Sequence, residues 1–181
     1  MTNSSLDNFL KQKRETKKQV AGKFNFSEKH PLLVIVLDKE LSKKNEEYLK
    51  FLLDGTAHVN LQVVILADTN FEIFNTPHTI VLPYNRGNRN LLIQAADMAL
   101  CFDFNDVEEM LLNGTIPISM PRGEIADYNP NRENGNSFVF KKENYWSIFA
   151  TIVRALETFK FPYDWNHIIR QGLETVSFKK N

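Results

Sequence analysis

The chain has 181 residues, with 22 basic and 22 acidic side chains, 43% hydrophobic residues and one cysteine. That length buries the core of one ordinary domain without disulfides or a structural metal, and the balanced charge offers no net field to steer the chain to nucleic acid or an anionic membrane. Cys101 sits in the apolar run Met98 to Phe102 and reads as a buried small hydrophobe, in keeping with a reducing, cytoplasmic setting. No stretch has the length of a signal-peptide core or a membrane span.

Ser4 or Ser5 is placed to cap a first helix, with Leu6, Phe9 and Leu10 on one face before a basic run, and Gly22 is placed to end it. We take residues 1–22 as this N-terminal helix and 23–181 as the body of the domain. Leu32 to Leu37 is a continuous apolar run, the mark of a strand covered on both faces of a parallel sheet. Ser42 to Leu53 has helical spacing at Tyr48, Leu49, Leu52 and Leu53, and Leu61 to Ala67 repeats the buried-strand pattern. Further strands are predicted at Thr79 to Leu82, Met98 to Phe102 and Ile116 to Ile118, with helices at Arg89 to Ala95 and Asp106 to Leu112. Two helices close the chain, Glu143 to Phe159 and Trp165 to Val176, broken at Phe161 to Asp164 because Pro162 cannot continue a helix ladder. Trp146, Phe149, Val153 and Leu156 are predicted to form the face that closes over the sheet. Strands alternating with helices of this size predict an α/β fold, a single Rossmann-like open parallel sheet with helices on both faces. Ligands of such sheets bind outside the carboxyl ends of the strands.

The stretch from Ala96 to Phe140 contains Ala96-Asp97, then Asn113-Gly114-Thr115-Ile116-Pro117-Ile118, then Pro121-Arg122-Gly123-Glu124-Ile125-Ala126-Asp127, and finally Asn134-Gly135-Asn136-Ser137-Phe138-Val139-Phe140. These segments resemble the C-terminal, nucleotide-sugar donor domain of the glycogen and starch synthases, where the corresponding text includes YGTIPI and RTGGLADTV followed by a glycine turn and a strand. The segment from Lys17 to Val36 resembles that domain's lead-in helix and first strand, so the resemblance covers most of the chain. It implies one half of a GT-B fold.

The same resemblance marks departures. Between Asp97 and Gly114 the chain is several residues shorter than the family pattern, and the missing residues surround the family's catalytic-loop glutamate. The remaining acids Asp103, Asp106, Glu108 and Glu109 occupy no equivalent position, and Asp106 reads as a first-turn acid favoured by the helix dipole. After the first strand, Asp38 falls on the family's diphosphate-binding arginine and Lys43 on its lysine. A carboxylate there repels phosphate rather than pairing with it. Lys43 or Lys44 supplies one positive charge in the donor reading, and in the plainer reading both are solvated residues of a helix's first turn. Gly123 is kept, whereas the second glycine of the family pattern is Glu124. Thr115 is open to a phosphate or ribose contact or, more simply, to turn bonding. Arg86 and Arg89 are the remaining basic candidates for an anion at a helix N-terminus.

The resemblance therefore implies a vestigial donor site of Lys43, Thr115, Arg122 and Gly123, with no catalytic residue, no metal and no cofactor retained. No phosphate-binding Gly-rich loop, nucleophile elbow or paired cysteine ligands occur, and His30, His58, His78 and His167 are scattered singly. The chain stops about where the family's last helix would cross to an acceptor domain, and glycosyl transfer depends on the positioning and desolvation such a domain supplies. The leading expectation is a non-catalytic binding or interaction module, a pseudoenzyme whose partner is a nucleotide-sugar, a glucan, or a protein docked on the N-terminal helix. The alternative is the donor-binding subunit of a split glucosyltransferase using ADP- or UDP-glucose, with hexosyl transfer of the glycogen synthase type.

Overall fold

Short runs of leucine, valine and isoleucine, too short for helices and apolar on both sides, become the middle of a sheet. The computed structural model describes residues 3–37, 46–67, 78–102 and 107–177. Its strands are β1 (Leu32–Val36), β2 (Gln62–Ala67), β3 (Thr79–Pro83), β4 (Met98–Leu100), β5 (Ile116–Ser119) and β6 (Phe138–Val139), and its helices are α1 (Asn3–Phe24), α2 (Glu46–Thr56), α3 (Arg86–Ala95), α4 (Val107–Leu112), α5 (Tyr145–Phe159) and α6 (Pro162–Ser177). The strands lie in the order β3-β2-β1-β4-β5-β6 and every pair is parallel. The α/β reading holds, and the sheet has the doubly wound order in which the chain reverses direction between β1 and β4.

Alternation along each strand feeds two cores. Leu33, Ile35, Val63, Ile65, Met98, Leu100, Ile116, Ile118 and Phe138 face α2, α5 and α6, whereas Leu32, Val34, Val64, Leu66, Ala99 and Cys101 face α3 and α4. Cys101 is buried in the second core, as its surroundings in sequence imply. The first helix serves both cores: Leu6 and Leu10 enter one, Val20 the other. It thus covers the domain, as the lead-in segment of the resembled family implies.

Three details differ from the sequence reading. The first helix begins at Asn3, ahead of Ser4 and Ser5, and runs two residues past Gly22 to Phe24. Its end is made by Asn25 in the left-handed region at φ 56°, with the Phe26 amide donating to the Ala21 carbonyl at 2.8 Å, which is the six-to-one bond of a Schellman cap. In the last pair of helices Pro162 opens α6 rather than breaking the chain through Asp164, because a proline at the first helical position loses no ladder bond. Of the expected α5 face, Leu156 is buried and Phe149 packs partly against the core, but Trp146 stands 63% exposed, and the buried stripe is Ile148, Thr151, Ile152, Ala155 and Leu156. Apolar residues nearly encircle that helix, so spacing allows two stripes, and the sheet takes the one whose smaller side chains admit close approach.

Candidate functional site

In a sheet of this order the ligand crevice lies where the strand order reverses, outside the carboxyl ends of β1 and β4. The strand residues leading to it are Val36 and Leu37 on one side and Cys101 and Phe102 on the other. Residues 38–45 and 103–106, which follow these strands, lie outside the described residues, and with them Asp38, Lys43, Lys44, Asp103 and Asp106.

Next to the crevice, β5 ends at Ser119 and the chain turns through Met120 to Ile125, where Arg122 and Ile125 form an isolated antiparallel bridge. Arg122 and Gly123 are exposed on this turn, and Glu124 is exposed beside them. A side chain at Gly123 would meet nothing within 4 Å. Arg122 and Gly123 thus stand together at the carboxyl end of the sheet.

Thr115 stands elsewhere. It precedes β5, at the amino end, about 13 Å of strand away from Ser119 at 3.3 Å per residue. Its side chain is fully buried, its hydroxyl lies against the Ile93 and Ala96 carbonyls, and it accepts a hydrogen bond from Lys13 Nζ at 2.9 Å. Among the described residues, then, the fold separates Thr115 from Arg122 and Gly123, and the threonine's bonding capacity is consumed inside the protein.

The remaining matched positions are also spent on architecture. Asp127 takes a bidentate contact from Arg154, one branch at 2.9 Å, and accepts from the Val139 amide at 2.8 Å. Asn136 is buried and holds the turn at both ends, accepting from the Ala126 amide and donating to the Glu124 carbonyl and to Thr175 of α6. Gly135 has φ 115°, and its amide donates to Gln171 Oε1 at 2.7 Å. Tyr128 donates to Asp164, and burial together with that carboxylate pushes its phenol well above the usual value.

At the start of α3, Asn85 caps the helix by accepting from the Asn88 amide at 2.8 Å. Arg89 is turned to Glu109 at 2.7 Å, tying α3 to α4, while Arg86 is exposed. At the start of α5, Asn144 caps in the same way through the Ser147 amide.

One polar network escaped the sequence reading. Asp97, just before β4, accepts from the Leu32 amide and from Lys17 Nζ, both at 2.7 Å, joining the amino ends of β4 and β1 to α1. One turn earlier, Lys13 Nζ donates to the Gln94 and Asn113 carbonyls as well as to Thr115. Burial pulls the Lys13 ammonium down to about 7, the Asp97 charge acting the other way and the Lys17 charge adding to the fall. The only sequence signal was the spacing of Leu10, Lys13 and Lys17 on one helical face.

Among the described residues no group of three or more metal-ligating side chains gathers, and no helix is long and apolar enough to cross a membrane. No family model matches the chain. It is 25% identical over 189 aligned positions to a glycogen synthase of Chlamydia trachomatis serovar L2, an alignment that spans 93% of this chain and 40% of that relative. A glycosyltransferase from Rickettsia africae superposes with a TM-score of 0.67 at 11% identity, covering 91% of this chain and 47% of the other. The C-terminal domain of a glycosyl transferase group 1 family protein from Francisella tularensis, solved by itself, superposes with the same TM-score at 10% identity and 93% coverage of both chains. The chain thus spans well under half the length of the curated relative that it matches, and its fold is one half of a GT-B glycosyltransferase.

Proposed function

We propose that this glycogen synthase-like domain, one half of a GT-B fold, acts as a non-catalytic binding module whose ligand is a nucleotide-sugar or a glucan. One observation carries the reading. Two side chains that match the synthase pattern are committed to internal contacts, Thr115 to Lys13 and two carbonyls and Asp127 to Arg154 and an amide, while Glu124 is exposed where the pattern has a glycine. Transfer requires groups that meet developing charge in the transition state. Here the sequence places a carboxylate, Asp38, where the diphosphate of the donor would need a cation.

The test is a transfer assay from ADP-glucose and UDP-glucose to glycogen, joined to calorimetric titration with ADP, UDP and the two nucleotide-sugars. The expected result is no transfer. Transfer by the purified chain would overturn the reading. Saturable binding of a nucleotide-sugar would identify the ligand as the donor, and its absence up to millimolar concentrations, with binding to glycogen instead, would identify the glucan.

The second reading, a donor-binding subunit of a split glucosyltransferase, is favoured by the exposed pair Arg122 and Gly123 beside the crevice. Under it, Lys43→Ala lowers transfer by the reconstituted pair, and an unchanged rate counts against it.

A further inference from the structure

On the amino side of the sheet, at the opposite end from the crevice, a cavity of about 460 Å³ opens between α1, the loop before β1 and the start of α6. Pockets of that size accommodate small organic ligands. Its apolar wall includes Leu10, Phe159 and Trp165, and five cations reach it: Lys13, Arg14, Lys17, Lys18 and Lys29. Two carboxylates, Asp97 and Glu28, share the lining. Lys17 is satisfied by Asp97 and sits 5.3 Å from the centre of the Phe159 ring, and Lys13 is satisfied by two carbonyls and a hydroxyl. Arg14, Lys18 and Lys29 meet no carboxylate among the described residues.

The placement of these charges follows from helical spacing. Lys13 and Lys17, and Arg14 and Lys18, are pairs four residues apart, so each pair stacks like charges on adjoining turns of α1, an arrangement that weakens a helix. In a chain with 22 basic and 22 acidic residues this concentration is local. The Lys13 and Lys17 row serves the network that ties α1 to the sheet, whereas the Arg14 and Lys18 row adds nothing to the cover that Leu6, Leu10 and Val20 provide.

We propose that this cavity binds an organic phosphomonoester. Its phosphate is held by Arg14, Lys18 and Lys29, and its ring lies against the wall that contains Trp165 and Phe159. Arg14 supplies the planar fork that matches phosphate oxygens, and the two lysines add point charges. A sugar or nucleoside body presents an apolar face to the aromatic wall. The site does not depend on the crevice at the other end of the sheet.

Trp165 provides the readout. The chain has two tryptophans, Trp146 and Trp165, so a Trp146→Phe background reports from the cavity wall alone. Titrating this protein with a hexose monophosphate, adenosine monophosphate, inorganic phosphate and an uncharged hexose should give a saturable change in emission with one of the two esters, and which one responds separates a sugar from a nucleoside body. In Arg14→Glu/Lys18→Glu the affinity should fall about tenfold or more, because attraction becomes repulsion at two positions, while Lys11→Glu, on the same helix outside the cavity, should leave it unchanged. Lys29→Glu, in the loop before β1, tests the site without altering α1. The proposal is overturned if neither ester saturates by about 10 mM, if the uncharged hexose or inorganic phosphate binds as well as the esters, or if the charge reversals leave affinity unaltered.

Discussion

Gly135 shows how one position can tie the domain together. At φ 115° it occupies backbone space that L side chains rarely adopt, and a Cβ there would sit 2.5 Å from both the Asp127 oxygen and the Tyr128 Cα. Gly135→Ala is therefore expected to cost roughly 2 kcal/mol or more in urea unfolding. Gly123→Ala, with open space around it, should change stability by less than about 0.5 kcal/mol. Lys13 couples stability to pH. Its folded-state value near 7 lies below the ordinary 10.5, so between those values the unfolded chain binds the extra proton and stability rises with pH. The window closes above about pH 10, where Tyr128, raised in the folded state, opposes further gain. Urea unfolding at pH 7 and pH 9 should show the native chain more stable at the higher pH and Lys13→Met without that difference. Gly135 was legible in the sequence because a tight turn needs it locally, whereas Gly22, expected to end α1, lies inside it. The use of Thr115 was not, since its partners lie 19, 22 and 102 residues away.

Among the elements, α5 tests which stripe the sheet selects. Ile148 is fully buried against the sheet, whereas Trp146 is exposed and packs edge-on against Phe51 of α2 at 4.8 Å between ring centres. Ile148→Ala is expected to cost about 2 to 4 kcal/mol through the cavity it leaves, and Trp146→Ala about 1 kcal/mol or less. Chemical denaturation of the two variants compares them directly, and a larger loss at Trp146 would show that the aromatic stripe carries the helix. Strand positions were readable from sequence because burial on both faces demands continuous apolar runs. The orientation of α5 was not readable, because a helix apolar nearly all round leaves the choice to the surface it meets. The end of α1 at Asn25 rather than Gly22 has a similar origin: the helix continues to Phe24, which packs against the second core.

For the whole molecule, the sheet order keeps two regions apart, the crevice at the carboxyl ends of β1 and β4 and the basic cavity at the amino side. A nucleotide-sugar bound in the crevice should therefore leave the emission of Trp165 unchanged in the Trp146→Phe background, even where calorimetry detects binding. A shift of that emission would place the ligand in the cavity instead. By itself the sequence determined the class of fold, because alternating buried strands and amphipathic helices have few ways to cover both faces of a parallel sheet. It also determined the resemblance to glycogen synthases, whose best-kept segments are the glycine turns and the buried β5. Tertiary structure decided which residues meet. It set Thr115 at the amino end of the sheet and Arg122 and Gly123 at its carboxyl end, and drew Lys13, Lys17 and Asp97 into one network, because side chains from distant segments gather only when packing brings their elements together.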